Sequence, residues 1–376
     1  KNMEKNNKPI YVTNPYLPPK EKFYAYMDYI WETRWLTNQG TLHNSFQDRI
    51  KEYLGVDNIT LTVNGHLALE SAVRMFNFPP NSEIITTPFT FSSTTHAITL
   101  SGLKPVFCDI KETDLTLNEE KIEELITDRT VAIMPVHVYG HPCNVTAIAA
   151  IAQKHGLKVI YDAAHAFGVK VDGKSIAAYG DISMFSFHAT KLFHSIEGGA
   201  LAYGNRDYTC LLDAYKNFGI MDEEHVRYVG RNAKMNEFQA AMGLCNLDDI
   251  QDIIKKRHKI TMRYRENLKG IKGIQMFFPE SDNVEYNYAY LPVLFPSGKT
   301  RDDLYDYLKK NNVYARKYFY PIVTDYECYR QQYSDVVLPV AKGCGDRVLT
   351  LPIYHELESN DVDRVCCLIK DLLIHN

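Results

Sequence analysis

The 376-residue sequence has no apolar run approaching the ~20 residues of a membrane-spanning helix. Its polar start, Lys1-Asn2-Met3-Glu4-Lys5-Asn6-Asn7-Lys8, lacks the apolar core of a signal peptide. Both absences point away from a membrane partner. Nor is there an excess of positive charge: 42 Lys and Arg against 46 Asp and Glu give a formal net charge of −4. The basic residues are dispersed, which removes the electrostatic case for nucleic acid. The eight cysteines never take the C-x-x-C spacing of a zinc or redox site, although Cys366 and Cys367 are adjacent. Free thiols in a reducing cytoplasm are the simplest reading. No G-x-G-x-x-G turn follows an early strand, so the usual NAD-binding arrangement is excluded. Repeats, low-complexity tracts and Gly- or Ser-rich linkers are also missing.

What is present suits a large folded core. A hydrophobic content of 45% over this length favours one large unit with a second attached. Phe23, Tyr26, Tyr29 and Ile30 recur at helical spacing ahead of a turn-rich stretch, Trp35 to Gly40. From 59 to 203 short strands alternate with helices, which predicts a mainly parallel sheet. The expected strands are 59–63, 83–87, 103–110, 131–138 and one ending at Asp162; the expected helices are 66–76, 119–126 and 147–155. A long helical pattern runs from Glu237 to about Leu268. Beyond it, strands over 286–295, 313–319 and 348–352, a helix capped by Thr300 that runs to Asn311, and a helix over 359–374 predict a small α/β layer. The boundary is expected within or just after the long helix, giving a large unit over 9–250 and a small one over 251–376.

Two strand ends carry the chemistry. Ser183 to Phe187 reads as a buried strand that delivers His188, Ala189, Thr190 and Lys191 into a polar turn before Gly198-Gly199. A half-desolvated lysine there loses part of its charged form, and its free amine can form a Schiff base with an aldehyde. Taken alone, Lys191 also reads as a surface lysine of a hairpin. Val159-Ile160-Tyr161-Asp162 is a second apolar strand, ending in a carboxylate. In an open α/β sheet such an end faces the ligand crevice. A strand-end aspartate and a strand-end lysine are what pyridoxal phosphate needs: the acid keeps the pyridine nitrogen protonated and the lysine holds the aldehyde carbon. Asn64-Gly65 before the helix starting at His66 makes an anion site from free N–H groups, suited to the cofactor phosphate. His137, His141 and Cys143 match no common zinc spacing, and no metal is expected.

These stretches resemble the DegT/DnrJ/EryC1/StrS aminotransferases, pyridoxal-phosphate enzymes that aminate nucleotide-linked keto sugars. The likeness extends from Pro15-Tyr16-Leu17-Pro18-Pro19 to Leu351-Pro352-Ile353 and includes His137-Val138-Tyr139-Gly140. It implies a fold-type I aminotransferase whose large domain carries a mainly parallel seven-stranded sheet flanked by helices, with a smaller C-terminal α/β domain. Lys191 and Asp162 are implied as catalytic. Gly65, His66, Phe91, His165, Ser186 and Asn232 are implied to join them on the cofactor, Phe91 by stacking and Asn232 from the neighbouring subunit of a homodimer. His66 stands where the family has threonine, His165 where it has glutamine, and Ile196 replaces a glycine of the lysine turn, so Glu197 is given only a structural role. Thr37, Asn38, His188, Arg316 and Tyr318 are candidates for the substrate, although Tyr318 also reads as a packed tyrosine and Arg316 as a solvated arginine. The branch with the most similar motifs aminates dTDP-4-keto-6-deoxyglucose at C4, with glutamate as donor, and serves O-antigen and lipopolysaccharide biosynthesis. The same motifs are compatible with a 3-keto sugar, or with a GDP- or UDP-linked 4-keto sugar. A non-enzymatic regulatory or binding protein on the same fold is a reading of a different class. Such a protein would have no reason to keep Lys191, Asp162 and Ser186 together.

Overall fold

The computed structural model describes residues 8–375. The polar start through Asn7 lies outside the described residues. A seven-stranded sheet runs in the spatial order Asn58–Thr62, Gly199–Tyr203, Ile182–Ser186, Lys158–Asp162, Thr130–Met134, Glu83–Thr86 and Lys104–Phe107. Its pairings are parallel except the two made by Gly199–Tyr203, which runs antiparallel to both neighbours. The mainly parallel sheet expected from the strand–helix alternation is present.

Both faces of this sheet are covered, and the two-residue period decides what goes where. Ile84, Ala132, Ile160, Ile182 and Met184 pack with Ala68, Leu69, Ala72 and Val73 of the Gly65–Met75 helix. Ile85, Ile133, Val159, Tyr161 and Phe185 point the other way, into a core shared with the helices Thr41–Leu54 and Glu237–Leu268. The latter helix begins with a capping box: Asn236 Oδ1 accepts the Gln239 N–H at 2.9 Å and Gln239 Oε1 accepts the Asn236 N–H at 3.1 Å. Its buried Glu237 accepts the N–H groups of Leu42 and His43 at 2.8 and 2.9 Å, so one carboxylate satisfies the start of the neighbouring helix.

The chain after this helix builds a second sheet, Gln275–Met276, Leu291–Leu294 and Val348–Leu351, backed by the helices Gly298–Lys310 and Ser359–His375. Glu237–Leu268 is unbroken across residue 250. Ile10–Tyr11, at the other end of the chain, pairs in parallel with Val313–Tyr314.

Several local expectations need correction. Residues 119–126 form two 3-10 turns, Glu119–Lys121 and Glu123–Leu125, and no α-helix. Four glutamates in six positions repel at helical spacing. Two of them find partners elsewhere, Glu119 with Lys111 and Asn144, Glu123 with Lys154 and His155. The strand expected over 286–295 is confined to Leu291–Leu294, because the Asn287 side chain replaces the ladder by donating to the carbonyls of His165 and Phe167 at 2.8 and 2.9 Å. The strand expected over 313–319 stops at Tyr314, its partner being two residues long, and only Arg316 pairs further, with Thr350. Ser297, not Thr300, caps the Gly298–Lys310 helix, its hydroxyl accepting the Thr300 N–H at 3.1 Å. The strands expected over 103–110 and 131–138 are shorter, at Lys104–Phe107 and Thr130–Met134.

Candidate active site

The carboxyl edge of the large sheet opens on a cavity of about 550 Å³. Four connections after strands build its walls. The strand Lys158–Asp162 ends in Asp162, and Ile182–Ser186 ends in Ser186 and leads into the lysine turn. Asn58–Thr62 passes through Asn64-Gly65 into a helix, and Glu83–Thr86 leads through Phe91 into the helix Ser92–Leu100. Gly65, His66, Phe91, Asp162, His165, Ser186, His188, Lys191, Arg316 and Tyr318 all line this one space.

Asp162 is buried, with Oδ2 accepting the Thr94 hydroxyl at 2.7 Å and Oδ1 the Ala164 N–H at 3.1 Å. Burial pushes its carboxyl up from the ordinary range, opposed by those two hydrogen bonds and by the Lys191 charge. No ion pair reaches it among the described residues. A buried carboxylate of this kind is stabilised by a cationic ligand.

His165 is held equally firmly. Its Nδ1 accepts the Tyr139 N–H at 2.9 Å, and its ring lies 4.6 Å from that of Tyr290. Burial, then Lys191 and His141, push the imidazole well below its ordinary value, so it is neutral. With Nδ1 accepting, the proton sits on Nε2, which is thereby a hydrogen-bond donor.

Lys191 is half-buried, its Nζ 5.8 Å from the Tyr290 ring centroid. Its backbone N–H closes a turn onto the His188 carbonyl at 2.8 Å. Ile196 in the same turn takes φ 70°, the left-handed backbone that a glycine adopts freely and a β-branched residue adopts at a cost. Glu197, read from the sequence as structural, also lines the cavity, and its carboxylate lies 3.5 Å from His188 Nε2. Arg316 donates to the Tyr318 hydroxyl at 2.9 Å and stacks over that ring at 5.0 Å. A second cavity of about 390 Å³ shares Phe91, Arg316, Tyr318 and Phe319 with the first and adds Lys317, Tyr320 and Tyr326.

Three candidates stand elsewhere. Thr37, Asn38 and Asn232 are exposed and do not line the Lys191 cavity. Asn38 borders a separate space of about 310 Å³ together with Lys234, and Lys234 donates to Asn232 Oδ1 at 2.9 Å. His137 and His141 are occupied in the core: His137 accepts the Cys143 N–H and stacks on Tyr161 at 4.6 Å, while His141 bonds the Asp114 carbonyl. Sequence reasoning missed Thr94, Tyr290 and His96. Thr94 lies in the first turn of the helix Ser92–Leu100, which the sequence reading did not place, and nothing in its neighbours marks it as a partner of Asp162.

Pyridoxal phosphate suits these groups. The N–H groups of Gly65 and His66 have no acceptor among the described residues, as expected at a helix start. A Cβ at Gly65 would meet Ser186 Cβ at 2.9 Å, so a glycine keeps open the cradle between that start and the serine. Gly199 plays a similar part from the other side, since its Cβ would lie 2.6 Å from the Asn64 carbonyl. Gly65, His66 and Ser186 would take the phosphate, Asp162 the ring nitrogen, His165 Nε2 the ring hydroxyl, and Phe91 the ring face.

A mainly parallel sheet with an amine and a buried acid at its carboxyl edge is the arrangement of the fold-type I aminotransferases. The chain belongs to the DegT/DnrJ/EryC1/StrS aminotransferase family, whose model matches residues 19–370. It is 42% identical over 367 residues to the dTDP-4-amino-4,6-dideoxy-D-glucose transaminase of Shigella dysenteriae, covering 97% of this chain and 99% of that protein. The Escherichia coli protein of the same name is 42% identical over 371 residues, with the same coverage. Among solved structures, DesI in the presence of its TDP-sugar product superposes with a TM-score of 0.92 at 32% identity, over 97% of this chain and 93% of that one. Helicobacter pylori PseC, an aminotransferase of pseudoaminic acid biosynthesis, gives 0.93 at 26% identity, over 98% and 100%.

Proposed function

We propose that this chain transfers an amino group from glutamate to C4 of dTDP-4-keto-6-deoxyglucose, using pyridoxal phosphate, and yields dTDP-4-amino-4,6-dideoxyglucose. The observation that carries the reading is the meeting of Lys191 and the buried Asp162 in one cavity that continues past Arg316 into a second. Identity of 42% to two transaminases of that sugar supports the substrate.

Bound pyridoxal phosphate would supply an aldehyde to carry the amino group and a ring to hold the electron pair released at carbon. Asp162 would hold the proton on the ring nitrogen. Lys191 Nζ removes and returns the proton at the carbon that gains or loses nitrogen, as a general base and acid. Tyr290 and Phe319 wall this end of the cleft and limit water. Arg316 and Lys317 offer positive charge to a diphosphate, although Asp302 already pairs with Lys317 at 2.5 Å.

The working unit in this reading is a cytoplasmic homodimer with shared sites, feeding O-antigen and lipopolysaccharide assembly. Asn38 and Lys234 line a cleft of their own, with Ile220 and Met221 on its wall, and Lys234 holds Asn232 beside it through a hydrogen bond. Trp31, Trp35, Leu36, Phe218, Val226 and Val229 are exposed. So many large apolar side chains outside the core suit a covered face, and a second copy of this chain is the partner we assign.

Incubation with glutamate and a panel of 3-keto and 4-keto sugars carrying dTDP, UDP or GDP, with the amine located by NMR, tests the substrate. Amination at C4 of the dTDP sugar is expected. Amination at C3, or preference for GDP or UDP, would overturn the substrate while sparing the aminotransferase.

A further inference from the structure

One imidazole on the cavity wall takes no part in holding the cofactor ring or moving the proton. His96 lies on the helix Ser92–Leu100 and lines the Lys191 cavity, as do Ser93 and His66. His66 Nδ1 is 2.8 Å from Ser93 Oγ. Ser93 and His96 are three apart on one helix, so they share a face about 5–6 Å apart at Cβ. The serine that anchors His66 therefore sets it beside His96.

The far side of His96 is tied down. Its Nδ1 is 2.6 Å from the Tyr329 hydroxyl, which lies 3.2 Å from Thr99 Oγ1, and Thr99 donates its one hydroxyl proton to the Thr95 carbonyl at 3.1 Å. The assignment that satisfies all three bonds runs in one direction: Tyr329 donates to Thr99, so His96 Nδ1–H donates to Tyr329. Neutral His96 then has a bare lone pair on Nε2. It offers an anion nothing until that nitrogen is protonated.

We propose that His96 and the Ser93-anchored His66 form a paired-imidazole seat for a phosphoryl group, and that filling the seat takes up a proton on His96 Nε2. Burial, and then His66, push His96 below its ordinary value in the absence of an anion. The cations facing the same cleft are Lys191 and Arg316, the acids Asp162 and Glu197, and the remaining imidazoles His165 and His188. A phosphoryl dianion beside the His96 ring reverses that penalty, since the protonated imidazole is then paired. Phosphate monoesters have a second pKa of about 6, so above pH 7 the proton comes from the protein's surroundings and not from the ligand.

Two phosphoryl groups are available under the proposed function, on which this inference rests: that of the cofactor and the diphosphate of the sugar nucleotide. Calorimetry at pH 7.5 in buffers of different ionisation enthalpy counts protons taken up. Apoprotein is titrated with pyridoxal phosphate and with pyridoxal, and holoprotein with dTDP and with thymidine. The expected result is up to one extra proton in one of the two phosphorylated arms, with the dissociation constant rising up to about tenfold per pH unit above 7. The arm that shows it identifies the source. His96→Asn should abolish the excess while leaving the circular dichroism spectrum unchanged. No excess in either wild-type arm, or an undiminished excess in His96→Asn, overturns the proposal even if the cofactor binds. Failure of pyridoxal phosphate to bind at all overturns the cofactor reading and this one with it.

Discussion

Thr94 donates its hydroxyl to Asp162 across 2.7 Å, and Thr90 Oγ1 lies 2.9 Å behind it. A helix that starts beside the cleft thus holds the acid on which the proposed chemistry depends. Replacing Thr94 by Val keeps the shape and removes one hydrogen bond to a charged group, a loss of about 1.5–3 kcal/mol. Thr94→Val should weaken pyridoxal-phosphate binding by about 10- to 150-fold in an absorbance titration. A dissociation constant within about twofold of wild type would show that Thr94 only packs.

Lys191→Ala should abolish covalent attachment and lower turnover by more than about 10³-fold. Borohydride reduction followed by peptide mass mapping reads the attachment directly. Finding the added mass on a lysine other than Lys191 would move the site.

Asn232 is outside the Lys191 cavity of its own chain, so its loss should be felt in a neighbour's. Mixing inactive Lys191→Ala with inactive Asn232→Ala subunits gives hybrids in which one of two sites has both residues intact. Partial recovery of turnover is expected. With hybrid formation confirmed by mass spectrometry, zero recovery would remove Asn232 from the site.

Burial pushes His137 down to about 3 and His43 to about 4, and lowers His141 and His194 as well. Each is neutral in the folded chain and takes a proton on unfolding at about 6.5. Because the folded values are depressed, the stability they contribute is complete above about pH 6.5 and is lost as pH falls toward about 4. For His137 and His43 the slope between about pH 6.5 and about 4 is about 1.4 kcal/mol per pH unit each. Urea midpoints at pH 7.5, 6 and 5 should fall monotonically, and equal midpoints at 7.5 and 5 would contradict this.

The large sheet was legible because each strand is a short apolar run bounded by turns, and Asp162 and Lys191 because each stands directly at a strand end. The Glu237–Leu268 helix was readable from its long helical pattern. Thr94 and His96 were not, because their significance lies in partners, Asp162 and Tyr329, that are far away in sequence. The stretch 286–290 misled for a different reason. Its alternating aromatics are buried as in a strand, but Asn287 bonds the backbone at His165 and Phe167 through its side chain. Periodicity reports burial, and only the partner decides whether burial is a ladder.

The two-residue strand Ile10–Tyr11 finds its partner at Val313–Tyr314, roughly 300 residues later. On a ribosome adding about 5–20 residues per second, that strand waits about 15–60 s before its pairing surface exists. The large sheet, whose strands all lie between residues 58 and 203, has everything it needs well before then. An early-made piece of the polypeptide is thus among the last to be fastened, a latch that closes after the mould has set.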